Sequence, residues 1–205
     1  MTVKQQILKQ LYKLIMLKGK LFPSAFDTQK NELHMAGLQS FYDLTTTANN
    51  GSTVNFAEFK GKKIIIVNTA SNCGYTGQYD ELETLYRQYK NKLIVLAFPA
   101  NDFQNQEQGN DDSIAQFCRL NYGISFPIMQ KSSVVKGNDQ NPVFKWLSYD
   151  SCNGWCHQQP TWNFCKYIVD EDGNLTHFFS QNISPLSKIF IEAVENDNNV
   201  FADIK

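Results

Sequence analysis

Residues 62–76 read KKIIIVNTASNCGYT: Ile64, Ile65, Ile66 and Val67 stand unbroken between two lysines and a loop of small polar residues. A short β-branched run with no polar alternation is the pattern of a strand buried on both faces. Working outward, residues 78–91 (QYDELETLYRQYKN) set Leu82, Leu85, Tyr86 and Tyr89 on one helical stripe, and residues 92–100 (KLIVLAFPA) repeat the buried-strand pattern. Residues 111–122 predict a second helix with acidic residues in its first turn, where the helix dipole favours them. Strand, helix and strand in this order make a parallel pair with a crossover, the unit of a layered α/β domain. Earlier in the chain, 40–47 and 52–56 flank the turn sequence Asn49-Asn50-Gly51 and predict a β-hairpin. Later, 142–150 predict a short helix, 166–179 a hairpin turning at Asp172-Gly173, and 184–194 a closing helix capped by Ser184 with Pro185 at its first position. The expected fold class is therefore α/β, a central mixed sheet flanked by helices, preceded by an N-terminal β-hairpin.

Residues 3–20 (VKQQILKQLYKLIMLKGK) stand apart. Val3, Ile7, Leu8, Leu11, Leu14, Ile15 and Leu17 recur at helical spacing with five lysines among them, which predicts a basic amphipathic helix. Three readings stay open: its apolar face packs on the domain, it lies on an anionic membrane surface, or it is an atypical export signal. Residues 22–37 read as a linker, so the chain divides into a helix-plus-linker segment, 1–38, and a folded domain, 39–205. Nineteen basic residues against twenty acidic ones leave a net charge of −1, which argues against a nucleic-acid binder. Five cysteines are too few for a disulfide-built scaffold and suit a reducing compartment, so a cytoplasmic site is expected, with membrane association through residues 1–20 under the second reading of the helix.

Cys73 lies just past the first buried strand and just before a helix. Backbone N–H groups and the positive end of the helix dipole there favour the thiolate, the form that attacks a disulfide sulfur or a peroxide O–O bond. Two other segments fall at the same sheet edge, where strand C-termini gather ligand-binding loops: FPANDFQNQEQG at 98–109 and TWNF at 161–164. From them the indole of Trp162 and the carboxamides of Gln106 and Asn163 can aim N–H donors at one sulfur.

With these three motifs in this order, the chain resembles the glutathione peroxidase family from about residue 40 to about residue 194. The resemblance implies a thioredoxin-like fold and a thiol-dependent peroxidase acting on hydrogen peroxide and organic or lipid hydroperoxides. Carried over residue by residue, Cys73 is the peroxidatic residue, in cysteine rather than selenocysteine form. Gln106, Trp162 and Asn163 complete the family's tetrad. The chain departs from the pattern at Ala100, Asp102, Gln104, Asn105 and Gln108 in the glutamine loop, and at Gly77, where a proline is usual. The alternative reading is a redox-sensing relay that passes oxidation to a partner thiol. Peroxiredoxins fit less well, because Thr69 is four residues before Cys73 rather than three. Thioredoxin-type oxidoreductases need a cysteine where Thr76 stands.

A sulfenic acid on Cys73 must be reduced by a second thiol. Cys118 falls near the family's resolving cysteine, displaced by one residue, which on a helix is a rotation of about 100°. Cys152 and Cys156 form a second candidate pair. No cofactor or metal is expected beyond a thiol co-substrate, with thioredoxin first and glutathione second. The short segment between Leu147 and Trp162 matches the family's monomeric, open-faced type.

Overall fold

The computed structural model describes residues 3–21, 24 and 26–195. Residues 196–205, and positions 22, 23 and 25 of the expected linker, lie outside the described residues. Both apolar runs are strands: β4 (Lys63–Thr69) and β5 (Leu93–Pro99) pair in parallel from Lys63↔Leu93 to Thr69↔Pro99, and every residue of both is buried. The crossover between them is α2 (Gln78–Tyr89), with Asp80 and Glu81 in its first turn. After β5 comes α3 (Asp111–Tyr122), capped by the Asn110 side chain and ended by Gly123 in the left-handed conformation at φ 60°. Two short helices follow, α4 (Pro142–Ser148) and α5 (Asp150–Asn153).

The hairpin β6 (Lys166–Val169) and β7 (Leu175–Phe179) adds antiparallel strands on the other side of β4. At its turn Gly173 has φ 89°, a conformation that suits glycine. The early hairpin, β2 (Thr45–Thr47) with β3 (Thr53–Asn55), forms as expected and makes its own two-stranded sheet. The main sheet is mixed: a strand at Thr28–Lys30, β1, is followed across the sheet by β7, β6, β4 and β5.

Two expectations change. The segment read as a linker contains β1 (Thr28–Lys30), which pairs antiparallel with β7 and closes one edge of the sheet. Three residues carry too little periodicity to announce a strand, and the exposed edge of β7 supplies the pairing. The closing helix α6 (Lys188–Glu195) begins later than Pro185. Ser184 still caps, but it closes a turn: its hydroxyl accepts from the Leu186 amide and its carbonyl from the Ser187 amide.

The N-terminal helix, α1 (Val3–Leu21), is present, and its apolar residues split between two faces. Tyr12 and Gln5 are buried, and Leu8, Ile15 and Met16 half-buried. Val3, Ile7, Leu11, Leu14 and Leu17 point away and are 42–72% exposed. Packing on the domain thus accounts for one side of the helix only.

Candidate active site

The loop between β4 and α2 carries Cys73, whose side chain is buried. Four donors meet its sulfur: the backbone N–H groups of Gly74 and Tyr75, the indole of Trp162 and the carboxamide of Asn163. The two backbone groups are there because the chain is turning into α2. The two side chains arrive from nearly ninety residues away, on the loop just before β6.

Asn68, fully buried near the end of β4, fixes that loop. Its Nδ2 donates to the Trp162 carbonyl at 2.9 Å, its Oδ1 accepts from the Cys165 amide at 3.1 Å, and its carbonyl accepts from the Phe164 amide at 2.6 Å. Phe164 holds φ 69°, uncommon for an aromatic residue, so the turn that presents Trp162 and Asn163 is held against a local cost. The Phe103 ring lies 5.8 Å from that of Trp162, centroid to centroid, and braces the indole from the glutamine loop.

That loop is joined to the cysteine loop at Asn72 and Ser71, and to the loop before β6 at Asn163. The Asn72 amide donates to the Gln106 carbonyl at 3.0 Å. The Ser71 amide and hydroxyl both donate to the Glu107 carboxylate, at 2.8 and 2.9 Å. The Gln106 side chain accepts from Asn163 Nδ2 at 3.1 Å. Gln106 therefore joins the constellation through Asn163. Gln104 and Asn105, two of the departures from the family pattern, both adopt φ 52°, a left-handed conformation that glycine favours. Asp102 is likewise integrated: its carboxylate accepts from the Ser133 hydroxyl and the Val134 amide.

Electrostatically the site differs from the sequence expectation. Burial pushes the Cys73 thiol above its ordinary value and outweighs the four donors that pull it down. Sequence position supplies the donors but not the depth of burial. Glu107, nearly inaccessible, is pushed up to about 7 by burial, although the Ser71 contacts favour its charged form.

Helix α1 lies across this edge. Gln5 Nε2 donates to Asn72 Oδ1 at 3.4 Å, and the Tyr12 hydroxyl donates to Glu81 on α2 at 2.9 Å. A Cβ on Gly74 would stand 2.8 Å from the Ile15 side chain, and one on Gly77 only 2.3 Å from the Tyr12 ring. This gives a physical reason for glycine at 77, since a proline ring would occupy the place of Tyr12.

All five cysteines are free and buried. Burial pushes the Cys118 thiol up to about 12. Cys152 and Cys156 lie at and just past α5, and burial pushes Cys156 up to about 11. Cys165 contacts Thr161 and Gln181. Sequence reading missed Asn68 and Glu107 as positioning residues. The one signal for Asn68 was a carboxamide closing an otherwise apolar strand. Glu107 gave none, because a carboxylate in a polar loop is ordinarily solvated.

Residues 41–148 match the glutathione peroxidase family. The chain is 45% identical over 148 residues to the glutathione peroxidase-like peroxiredoxin GPX5 of Chlamydomonas reinhardtii, covering 72% of this chain and 90% of that one. Among solved structures it is similar to T. cruzi GPX1, with TM-score 0.56 and 30% identity over 76% of this chain and 93% of the other. A thioredoxin family thiol:disulfide interchange protein from Chlorobium tepidum shares the fold, with TM-score 0.54 and 15% identity over 78% of this chain and 94% of the other.

Proposed function

Because this chain belongs to the glutathione peroxidase family, has its thioredoxin-like fold and is a thiol peroxidase, we propose that Cys73 is the peroxidatic residue and that thioredoxin returns it to the thiol. The reading rests above all on the meeting of Trp162 and Asn163 at the Cys73 sulfur. Two N–H donors from a distant loop have little reason to converge on an inert core thiol.

The chemistry follows from those donors. The Cys73 thiolate attacks one oxygen of the hydroperoxide, the O–O bond breaks, and the departing alkoxide or hydroxide takes a proton to leave as alcohol or water. The sulfur is left as sulfenic acid. N–H groups of Trp162, Asn163 and the 74–75 backbone stabilise the anionic sulfur and the charge that develops on the leaving oxygen. Gln106 accepts from Asn163 Nδ2 and so holds that donor in place. A reductant thiol then attacks the sulfenic sulfur, releasing water and forming a disulfide that a second thiol opens.

Thioredoxin is favoured over glutathione because a carboxylate-rich tripeptide calls for cationic side chains at the site. The chain has only two arginines, and Arg87 is engaged on α2 with Glu83 and with the Gly123 carbonyl. Hydrogen peroxide and organic or lipid hydroperoxides are the proposed oxidants, with the chain acting as a monomer in the cytoplasm. Cys118 and the Cys152/Cys156 pair remain the candidates for a resolving thiol within the chain, and each must leave its buried place to act.

Turnover followed through NADPH consumption with thioredoxin and its reductase tests the assignment. Cys73→Ser is expected to lose more than about a thousandfold in rate, as loss of a nucleophile does. A loss under about tenfold removes Cys73 from the role.

A further inference from the structure

We propose that the outward stripe of α1 docks on an anionic membrane surface and that, by resting on the Cys73 loop, the same helix turns the reaction centre toward the bilayer. The second half rests on the reading of Cys73 as the peroxidatic residue; the first does not.

Helix α1 has two apolar sides with different fates. Its inward side is engaged: Tyr12 on Gly77 and Glu81, Ile15 on Gly74, and Gln5 on Asn72. Its outward side, Val3, Ile7, Leu11, Leu14 and Leu17, recurs at three- and four-residue intervals and is 42–72% exposed. A contiguous apolar stripe of this kind on a soluble chain marks an interaction surface. Its charge selects the occupant. Residues 3–21 contain five lysines and no acidic residue, in a chain whose net charge is −1. Apolar residues along one side of a helix rich in lysine match a lipid headgroup boundary, where the apolar side chains enter the acyl region and the ammonium groups meet anionic headgroups. No helix among the described residues is long and apolar enough to cross a membrane. The helix therefore lies on the surface, about 28 Å of it at 1.5 Å per residue. Because its other side touches residues before and after Cys73, contact along α1 sets the Cys73 edge of the domain against the bilayer rather than away from it.

The test uses the full chain in flotation with vesicles of phosphatidylcholine alone or mixed with phosphatidylserine. Wild type is expected to float with the mixed vesicles, to stay behind with phosphatidylcholine alone, and to be released at about 1 M salt, where the Debye length falls to about 3 Å. The variant Ile7→Ser/Leu11→Ser/Leu14→Ser is expected to lose flotation at least about tenfold. Its turnover of hydrogen peroxide in vesicle-free buffer should match wild type, while turnover of phosphatidylcholine hydroperoxide in mixed vesicles drops about tenfold. Wild type that does not float, a variant that floats as well as wild type, or a stripe that instead holds two copies together in buffer overturns the docking. Lost flotation with undiminished turnover of the vesicle-borne hydroperoxide overturns the orientation. Failure of wild type to turn over hydrogen peroxide would count against the assignment of Cys73 and leave the flotation result standing.

Discussion

Asn163 donates from one amide nitrogen to the Cys73 sulfur and to the Gln106 carbonyl, while its own Oδ1 is buried without a hydrogen-bond partner among the described residues. Leaving that oxygen unpaired costs about 1–3 kcal/mol, a cost the surrounding packing carries to keep the N–H group aimed at the sulfur. Asn163→Ala removes one donor and releases Gln106 at the same time. Its rate of Cys73 oxidation by hydrogen peroxide, followed by stopped-flow fluorescence, is expected to fall about 10- to 100-fold. Asn163→Asp is expected to fall further, since a carboxylate donates nothing and repels the thiolate. Equal rates for Asp and Asn would show that the contact is only packing. At this scale the sequence was readable where a residue's chemistry is unusual for its setting. Cys73, Trp162 and Asn163 could be named because thiol, indole and carboxamide donors suit one reaction. Asn68 and Glu107 could not, because their parts depend on burial and on partners 94 and 36 residues distant in the chain.

Helices and strands were legible wherever a long period or an unbroken apolar run governed them, as in β4, β5, α2 and α3. They were illegible where tertiary context decides, as in three-residue β1, which exists because β7 offers it an edge, and in the later start of α6. Helix α1 combines both cases: its period gave the helix, but which side faces inward is set by Gly74 and Gly77 on the opposing surface. Those glycines make α1 a cover that can be loosened. Tyr12 is its tightest point, with its ring on Gly77 and its hydroxyl on Glu81, which also accepts from Ser184. Tyr12→Ser removes the ring and its packing, and α1 is expected to lift more often from the 71–77 loop. Cys73 then gains solvent, and the desolvation that holds its thiol up is relieved. Labelling of Cys73 by iodoacetamide at neutral pH, located by peptide mass spectrometry, should accelerate about tenfold, corresponding to about one unit of thiol pKa. Cys118, on α3, should label no faster; acceleration at both would indicate general loosening instead.

Across the whole molecule, a few buried titrating groups set how stability changes above neutral pH. Lys166 is fully buried, donates to Gln78 Oε1 at 2.8 Å and to the Ile183 carbonyl at 2.6 Å, and is pushed down to about 7 by burial, partly opposed by Cys165, Glu81 and Asp27. Its folded value lies below its unfolded one. Between about 7 and 10.5 the unfolded chain therefore binds a proton that the native chain lacks, and this group makes stability rise with pH. Glu107, raised to about 7, acts oppositely: its native state holds the extra proton between 4.5 and about 7, so its contribution falls through that window and is level above it. The thiols of Cys73, Cys118 and Cys156 are all raised above 9, and the unfolded chain loses those protons first, so they lower stability as pH climbs past 9. Thermal melts should accordingly show a stability nearly level at pH 7, rising to a maximum between about pH 8 and 9, and falling beyond it. Lys166→Met separates the contributions. Whatever its absolute stability, the gap between wild type and variant should widen in favour of wild type by about 3 kcal/mol from pH 7 to 9.5, because each pH unit over which one proton is differentially bound contributes about 1.4 kcal/mol. A gap independent of pH across that range would mean that Lys166 keeps its charge in the folded core, held there by Glu81 and Asp27 against the cost of burial.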